Sequence, residues 1–591
     1  MKIKKRPAKH LLSQILKYMM SSMPSEENKK IFIGVAWPYV NGDLHIGHYA
    51  GYLLPADVCA RYNRLRGRDV LMISGSDCFG TPITAQADKE GKTPSEIVVQ
   101  YHERDVELFK LLGLSYDLYT KTDTPNHKRI TQDFFIKLLE KGYIFKDFSN
   151  QYYSETDKRF LPDRYVEGKC PNCGFEGARS DQCDNCGSVL SEGELINPVS
   201  KISGSKVTLK RTEHYFLDWP KLQPFLEKFA ASAKGWRSWV INETKGWLKQ
   251  GLKPRAITRD LDWGVKLPIS KIPKEMLIEN ASEKRIYVWF DAVIGYFSGS
   301  LEWAEKTENS WEPFWHDKNA YHYYFMGKDN LIFHTLFWPG QLHVYDEKLK
   351  LPDFPAINQF LNLEGEKFSK SRGIIVDTKY AVEKYGNDTL RFYLCLIMPE
   401  NNDSSFSWDD FYEKVNNVLI GNFGNFVNRV LTLSRSLDFS DLNKADLKKE
   451  VLEAVEEAFK NSYSSLDDCR FKDYLSEILT LSDFGNLFMS RNEPWKVKEA
   501  DPPAFRELMF NLSFIVIGLS YLISPLLPET AKKLSKILGF DGEDIKWPSL
   551  ENLTGTFVRA ASTLKITSAI PLFKKLDKSG IEEEKKQLPL K

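Results

Sequence analysis

The sequence predicts an α/β fold: a doubly wound, Rossmann-like parallel sheet, split by a cysteine-bearing insertion and followed by an α-helical bundle. Three observations carry this expectation. Short apolar runs alternate with helical patterns over both 31–77 and 321–339. Four cysteines crowd into 170–186, between those two regions. After about residue 415 strand-like runs give way to long amphipathic stretches with charged faces.

The elements follow in order. IFIGVAW (31–37) is a short apolar run suited to a buried parallel strand. Asn41-Gly42-Asp43 forms a turn, and a helix reads well from about His45 to Arg66. DVLMISGSD (69–77) is a second apolar strand, so the unit is a right-handed βαβ. From 126 to 285 polar, aromatic and glycine-rich segments interrupt the pattern. RIYVWFDAVIGY (285–296) restores buried-strand character, and YHYYFMGKDNLIFHTLFWP (321–339) is a second strand-then-helix unit. The expected divisions are a basic extension (1–29), a first α/β half (30–125), an insertion (126–285), a second half (286–360), a lysine-loop region (361–415), a helical domain (416–570) and a solvated charged tail (571–591).

Composition bounds the reading. A chain of 591 residues exceeds one core, and roughly two to four domains are expected. A net charge of +1 excludes a polycation, so any nucleic-acid surface must be a local patch. Cys59, Cys78, Cys395 and Cys469 are isolated and form no disulfide framework, which fits a reducing cytoplasm. The apolar run FNLSFIVIGLSYLISPLL (510–527) is nearly long enough to span a bilayer. Asn511, Ser513, Ser520, Ser524 and Pro525 interrupt it, so it reads as a buried bundle helix. The segment MKIKKRPAKHLLSQILKYMM has no acid before Glu26. It reads as a targeting presequence, a disordered tail or the product of an upstream start; the single arginine and the lack of a long apolar stretch favour the last two.

Three motifs carry chemistry. In PYVNGDLHIGH (38–48) a helix N-terminus follows a turn, and unpaired N–H groups there attract phosphate. His45 and His48, three apart, lie on one side of the first turn and can donate to phosphate oxygens, while Gly47 admits a ligand close to the backbone. EGEKFSKSRG (364–373) places Lys367 and Lys370 on a short loop able to close over a polyphosphate. Cys170-Pro-Asn-Cys173, nine residues and Cys183-Asp-Asn-Cys186 form two CxxC knuckles. Four thiolates suit one tetrahedral Zn2+, and with no open position the site should be structural.

HIGH at His45–His48 and KFSKS at Lys367–Ser371 resemble the signatures of the class I aminoacyl-tRNA synthetases, with Phe368 where methionine is usual. A zinc knuckle between the two halves is similar to the methionyl-tRNA synthetase family. AWPYVNGDLHIGH, GSDCFGTP (75–82), FLPDRYV (160–166), YVWFDAVIGY (287–296), GKDNLIFHTLFWP (327–339) and NEPWK (492–496) carry the likeness over about residues 30–570. The resemblance implies a methionine pocket at Trp37, Tyr39, Asp77, Trp289, Ala292, Tyr296, Asn330 and His334. Asp77 at a strand's C-terminal end can pair with the substrate ammonium, and aromatic edges suit a thioether. Trp37, Phe79 and Val293 depart from the residues common at their positions, leucine, histidine and proline.

The resemblance further implies ATP contacts at Asn41, His45, Gly47, His48, Asp329 and Lys370, with Arg259 and Lys328 assisting and Mg2+ neutralising the phosphates. The reaction implied is in-line attack of the amino-acid carboxylate on the α-phosphate, then transfer to the 3′ end of tRNA(Met). Asn425, Arg429 and Trp495 resemble the anticodon contacts. About 160 residues between the halves leave little room for the editing domain of leucine, valine or isoleucine enzymes. A cysteine enzyme would need an open zinc site. An intact HIGH motif and both loop lysines argue against a silent RNA-binding paralogue, and the bundle argues against a tRNA-independent ligase. The chain stops soon after the bundle, so a monomer is expected.

Overall fold

The computed structural model describes residues 29–588 except 163–164, 181–182, 184, 187–189, 191–192, 369–372, 541–545 and 567–568. The extension 1–28 and Lys370 therefore lie outside the described residues. Five parallel strands form the central sheet: β1 (Lys30–Val35), β2 (Asp69–Ser76), β3 (Leu118–Lys121), β4 (Tyr321–Gly327) and β5 (Phe354–Asn358). Their spatial order is β5-β4-β1-β2-β3. Both faces of β1 are buried, which is why it reads as an unbroken apolar run rather than an alternation. The order reverses between β1 and β4, and the crevice beyond their C-terminal ends is where such sheets bind ligands.

After β1 comes helix α1, in three continuous pieces: Ile46–His48, a widened π-turn over Tyr49–Leu53, and Leu54–Leu65. Helices α2 (Pro125–Glu140), α3 (Gly295–Thr307) and α4 (Trp338–Tyr345) cover the other face; α3 packs on β2, and α2 packs on α3 and α4. The run 285–296 departs from its strand reading. Only Lys284–Ile286 is extended, in a small antiparallel sheet, and Val288–Asp291 already turns as helix ahead of α3. A short run buried on all sides has the same composition in either state, so periodicity could not separate them.

Within the insertion, Ile144–Ser154 pairs antiparallel with Thr208–Leu217. The cysteine knuckle has its own small core around Tyr152, Tyr165 and Val166. Helix α5 (Asn387–Leu396) leads towards the bundle, whose main members are α6 (Asn425–Ser434), α7 (Lys449–Asp467), α8 (Phe471–Asn492) and α9 (Pro502–Leu522). Among the described residues α9 is the one helix long and apolar enough to cross a membrane, and 83% of its apolar window is buried in the protein. It packs against α6, α7 and α8. Its Asn511 is satisfied by the backbone of Asp446, Lys448 and Glu507, as a core polar group must be. Helix α8 is capped from outside: the Glu400 carboxylate accepts from the N–H groups of Phe471 (2.6 Å) and Lys472 (3.1 Å).

The tail also differs from expectation. Lys578–Gln587 forms helix α10, packed on Trp408–Glu413. Its Glu584 is buried and accepts hydrogen bonds from Tyr380, Lys384 and Tyr385. A charged sequence folds back here because its carboxylate finds three donors about 200 residues away.

Candidate active site

The segment between β1 and α1 closes with a reciprocal cap. His45 Nδ1 accepts from the Gly47 N–H (3.1 Å), and His48 Nδ1 accepts from the His45 N–H (3.1 Å). An imidazole whose Nδ1 accepts carries its neutral-state proton on Nε2, so both rings keep Nε2–H as their donor. The ring centroids lie 4.0 Å apart. Phe368, from the lysine loop, stacks on His45 at 4.4 Å and 10°. A Cβ at position 47 would sit 2.8 Å from the His45 ring and 3.2 Å from Phe368, so the close approach requires glycine. Phe368 therefore anchors the loop on the first histidine.

These groups border a cavity of about 500 Å³ at the sheet's switch point. Trp37, Tyr39, Asn41, His45, Gly47 and His48 line it from the first half, with Asp77 beyond β2. Trp289, Ala292, Tyr296, Asp329, Asn330, His334 and Lys367 line it from the second. Two predicted groups stand outside the wall. Lys328 pairs with Asp403 at 2.6 Å and lies over the Phe360 ring. Arg259 lies over Tyr287 at 4.4 Å and donates to the carbonyls of Ala256 and Thr258. Both are long cations that find neighbours closer than the cavity.

One end of the cavity is acidic. Asp77 is 4% exposed, and burial together with the charge of Asp291 pushes its carboxyl well above the usual range. Asp291 is fully buried and its acid is likewise pushed up by burial; neither oxygen accepts a well-formed hydrogen bond among the described residues, and His127 Nε2 stands 3.6 Å away. Two carboxyls with so little compensation favour a cation beside them. The opposite wall is neutral and aromatic. His334 Nδ1 donates to the Asn330 carbonyl (2.9 Å), leaving Nε2 to accept from the Tyr296 hydroxyl (2.7 Å). Burial lowers the His334 pKa to about 4, so it stays uncharged at neutral pH. Trp289 meets Phe333 edge to face at 5.2 Å.

Trp37 fits because two glycines make room. A Cβ on Gly75 would lie 2.2 Å from the Trp37 ring, and one on Gly295 would lie 2.7 Å from it. Sequence reasoning missed Gly75, Gly295, Asp291, Phe333 and Phe360. The glycines, one inside a strand and one opening a helix, were the readable signal.

Two other sites complete the picture. The four knuckle sulfurs lie within 4.8 Å of one another, with Cys170–Cys186 at 3.9 Å and Cys173–Cys183 at 3.6 Å. A tetrahedron with metal–sulfur bonds of about 2.3 Å has edges of roughly 3.8 Å, so the donor set fits one metal ion. The turn inside the first knuckle is closed by Gly174, at φ 76°, donating to the Cys170 carbonyl. On the bundle, the Arg429 guanidinium lies 5.4 Å from the centre of the exposed Trp495 ring. Asn425 is one turn before Arg429 on the same face of α6.

A capped histidine pair at the switch point, facing a lysine loop, defines the class I aminoacyl-tRNA synthetase arrangement. Residues 31–431 match the family model of class I tRNA synthetases (M), residues 441–588 match the anticodon-binding domain of methionyl tRNA ligase, and the chain belongs to this family. It is 42% identical to the methionine–tRNA ligase of Roseiflexus castenholzii, over 95% of this chain and 99% of that one. It is 41% identical to the methionine–tRNA ligase of Thermomicrobium roseum, covering 94% and 98%. The fold matches the methionyl-tRNA synthetase of Mycobacterium tuberculosis, solved in complex with methionyl-adenylate, with a TM-score of 0.73 at 23% identity, over 92% of this chain and 99% of that one.

Proposed function

We infer that this chain is a methionine–tRNA ligase. It joins L-methionine to ATP, forming methionyl-adenylate and pyrophosphate, and then passes the methionyl group to the 3′ end of tRNA(Met). The observation that carries this reading is one cavity with three chemistries around it: the His45–His48 cap, the acidic end at Asp77 and the neutral wall of Trp289, Tyr296 and His334.

The amino-acid ammonium pairs with Asp77, and the thioether packs on the aromatic wall. This holds the carboxylate for in-line attack on the α-phosphorus: one carboxylate oxygen bonds to phosphorus as the bond to the bridging oxygen breaks, and pyrophosphate leaves with the electron pair. His45 and His48 donate from Nε2 to the phosphate oxygens as charge builds. Lys367 and Lys370 close over the departing pyrophosphate. Asn41, Gly47 and Asp329 contact the nucleotide, and Lys328 and Arg259 assist once the loops close on it. Mg2+ bound with ATP supplies further charge neutralisation.

Cys170, Cys173, Cys183 and Cys186 hold one structural Zn2+, the metal that best suits four thiolates. Asn425, Arg429 and Trp495 read the anticodon, with the half-exposed indole as the stacking platform. The enzyme acts as a monomer in the cytoplasm. The test is ATP–pyrophosphate exchange with each amino acid in turn, on wild type and His48→Ala. Exchange is expected with methionine alone, reduced by roughly a hundredfold or more in the variant. Exchange with another amino acid, or none in folded zinc-loaded protein, overturns the reading.

A further inference from the structure

The π-turn after His48 leaves backbone carbonyls without their usual helical partners. One side chain ties them off. Asn358, 1% exposed at the C-terminal end of β5, donates from Nδ2 to the Gly51 carbonyl at 2.9 Å and to the Ala50 carbonyl at 3.4 Å. Gly51 itself borders the cavity. The orientation of the amide is fixed from behind, because Arg237 Nη1 donates to Asn358 Oδ1 at 2.6 Å. With a cation on the oxygen, only the NH2 group can face α1.

Arg237 is itself held on several sides. It donates to the Glu400 carbonyl at 2.9 Å and to the Cys469 carbonyl at 3.1 Å, immediately before α8. Trp239 adds a donor to the same Glu400 carbonyl at 3.2 Å. The guanidinium therefore joins the insertion, the sheet edge and the head of a bundle helix at one buried point, and Asn358 carries that fixed point to the turn beneath the histidines.

We propose that Asn358 is a positioning residue for adenylate formation: held by Arg237, it sets the widened turn of α1 and so the orientation of His45 and His48 towards the phosphates. The inference rests on the ligase reading and adds to it a group that touches no substrate. A buried amide that only filled space would influence stability and leave the chemistry alone. One that aims the histidines must influence kcat, since these donors act as charge develops.

The experiment is methionine-dependent ATP–pyrophosphate exchange on the full chain, with thermal melting run in parallel. Asn358→Asp keeps the shape and the Arg237 contact but removes the donor; Asn358→His restores a ring N–H at similar reach. The expected result is a kcat lowered about tenfold or more in Asn358→Asp, a KM for methionine within about twofold of wild type, and a kcat within about threefold of wild type in Asn358→His. Wild-type kcat in folded Asn358→Asp overturns the proposal, and so does a loss that Asn358→His fails to restore. If Asn358→Asp does not fold, Asn358→Leu takes its place under the same outcomes. Wild-type protein inactive with methionine would instead sink the ligase reading, so the two failures are distinguishable.

Discussion

Trp37 shows how one side chain shapes the cavity through residues that never touch a ligand. Its ring fills the space that side chains at Gly75 and Gly295 would claim. Gly75→Ala places a methyl group 2.2 Å from that ring and 2.6 Å from the Thr120 carbonyl. The backbone oxygen cannot yield easily, so the indole must move into the methionine end of the cavity. We expect a KM for methionine raised about tenfold or more, with the KM for ATP little changed. Adding Trp37→Leu should restore most of the loss, because the smaller side chain vacates the clash. Steady-state exchange kinetics on the two variants check this, and an unchanged KM for methionine in Gly75→Ala would show that the indole does not bound the pocket. His45, His48 and the four cysteines were legible in the sequence because their chemistry lies in local spacing. Asp291 was not, since nothing in YVWFDAVIGY says that its carboxyl ends up beside Asp77, more than 200 residues earlier.

Among the elements, the strands and helix of the first half could be read because turn chemistry and buried-strand composition agree there. The run after Ile286 could not, because burial on every side erases the period that separates strand from helix. Helix α10 was hidden for another reason: Glu584 is stabilised by Tyr380, Lys384 and Tyr385, partners that no local pattern reveals. The knuckle is the opposite case. It has a small core of its own, and its sulfurs are already at metal-binding separation. Removing one thiolate should therefore loosen this element alone. Cys183→Ser is expected to bind less than one equivalent of zinc and to become protease-sensitive within 165–200, while the parallel sheet keeps its resistance. Metal analysis with limited proteolysis and mass mapping would test it. Cleavage spread evenly through the sheet would show that the knuckle is not an independent unit.

Over the whole molecule, the halves and the bundle are joined by a buried ion pair. Asp57 on α1 and Arg391 on α5 are both fully buried, 2.8 Å apart, and Arg391 also donates to the carbonyls of Leu526 and Pro525 after α9. Burial alone would raise the Asp57 acid; the guanidiniums of Arg391 and Arg61, with Ser115, hold it at about 2 instead. A carboxyl lower in the folded than in the unfolded chain stabilises fully above its unfolded pKa. That contribution fades as pH falls from about 4 towards about 2. Arg391→Leu leaves Asp57 buried without its main partner, and we expect a loss of about 3–5 kcal/mol at neutral pH. Urea melts at pH 7 measure this, and a loss below about 1 kcal/mol would mean that the pair is not what joins the domains.

Helix α8 begins at the Glu400 cap, beside the Arg237 contact, and ends just before the exposed Trp495. At about 1.5 Å per residue its 22 residues make a rod of roughly 33 Å. The protein therefore has a built-in gauge length: the span between its chemistry and its outermost aromatic surface is set by counting helical residues rather than by any contact at either end. Lengthening that rod by one residue would swing Trp495 through about 100° and push it outward by about 1.5 Å, changing the bearing of the reading surface while every atom around the cavity stayed in place.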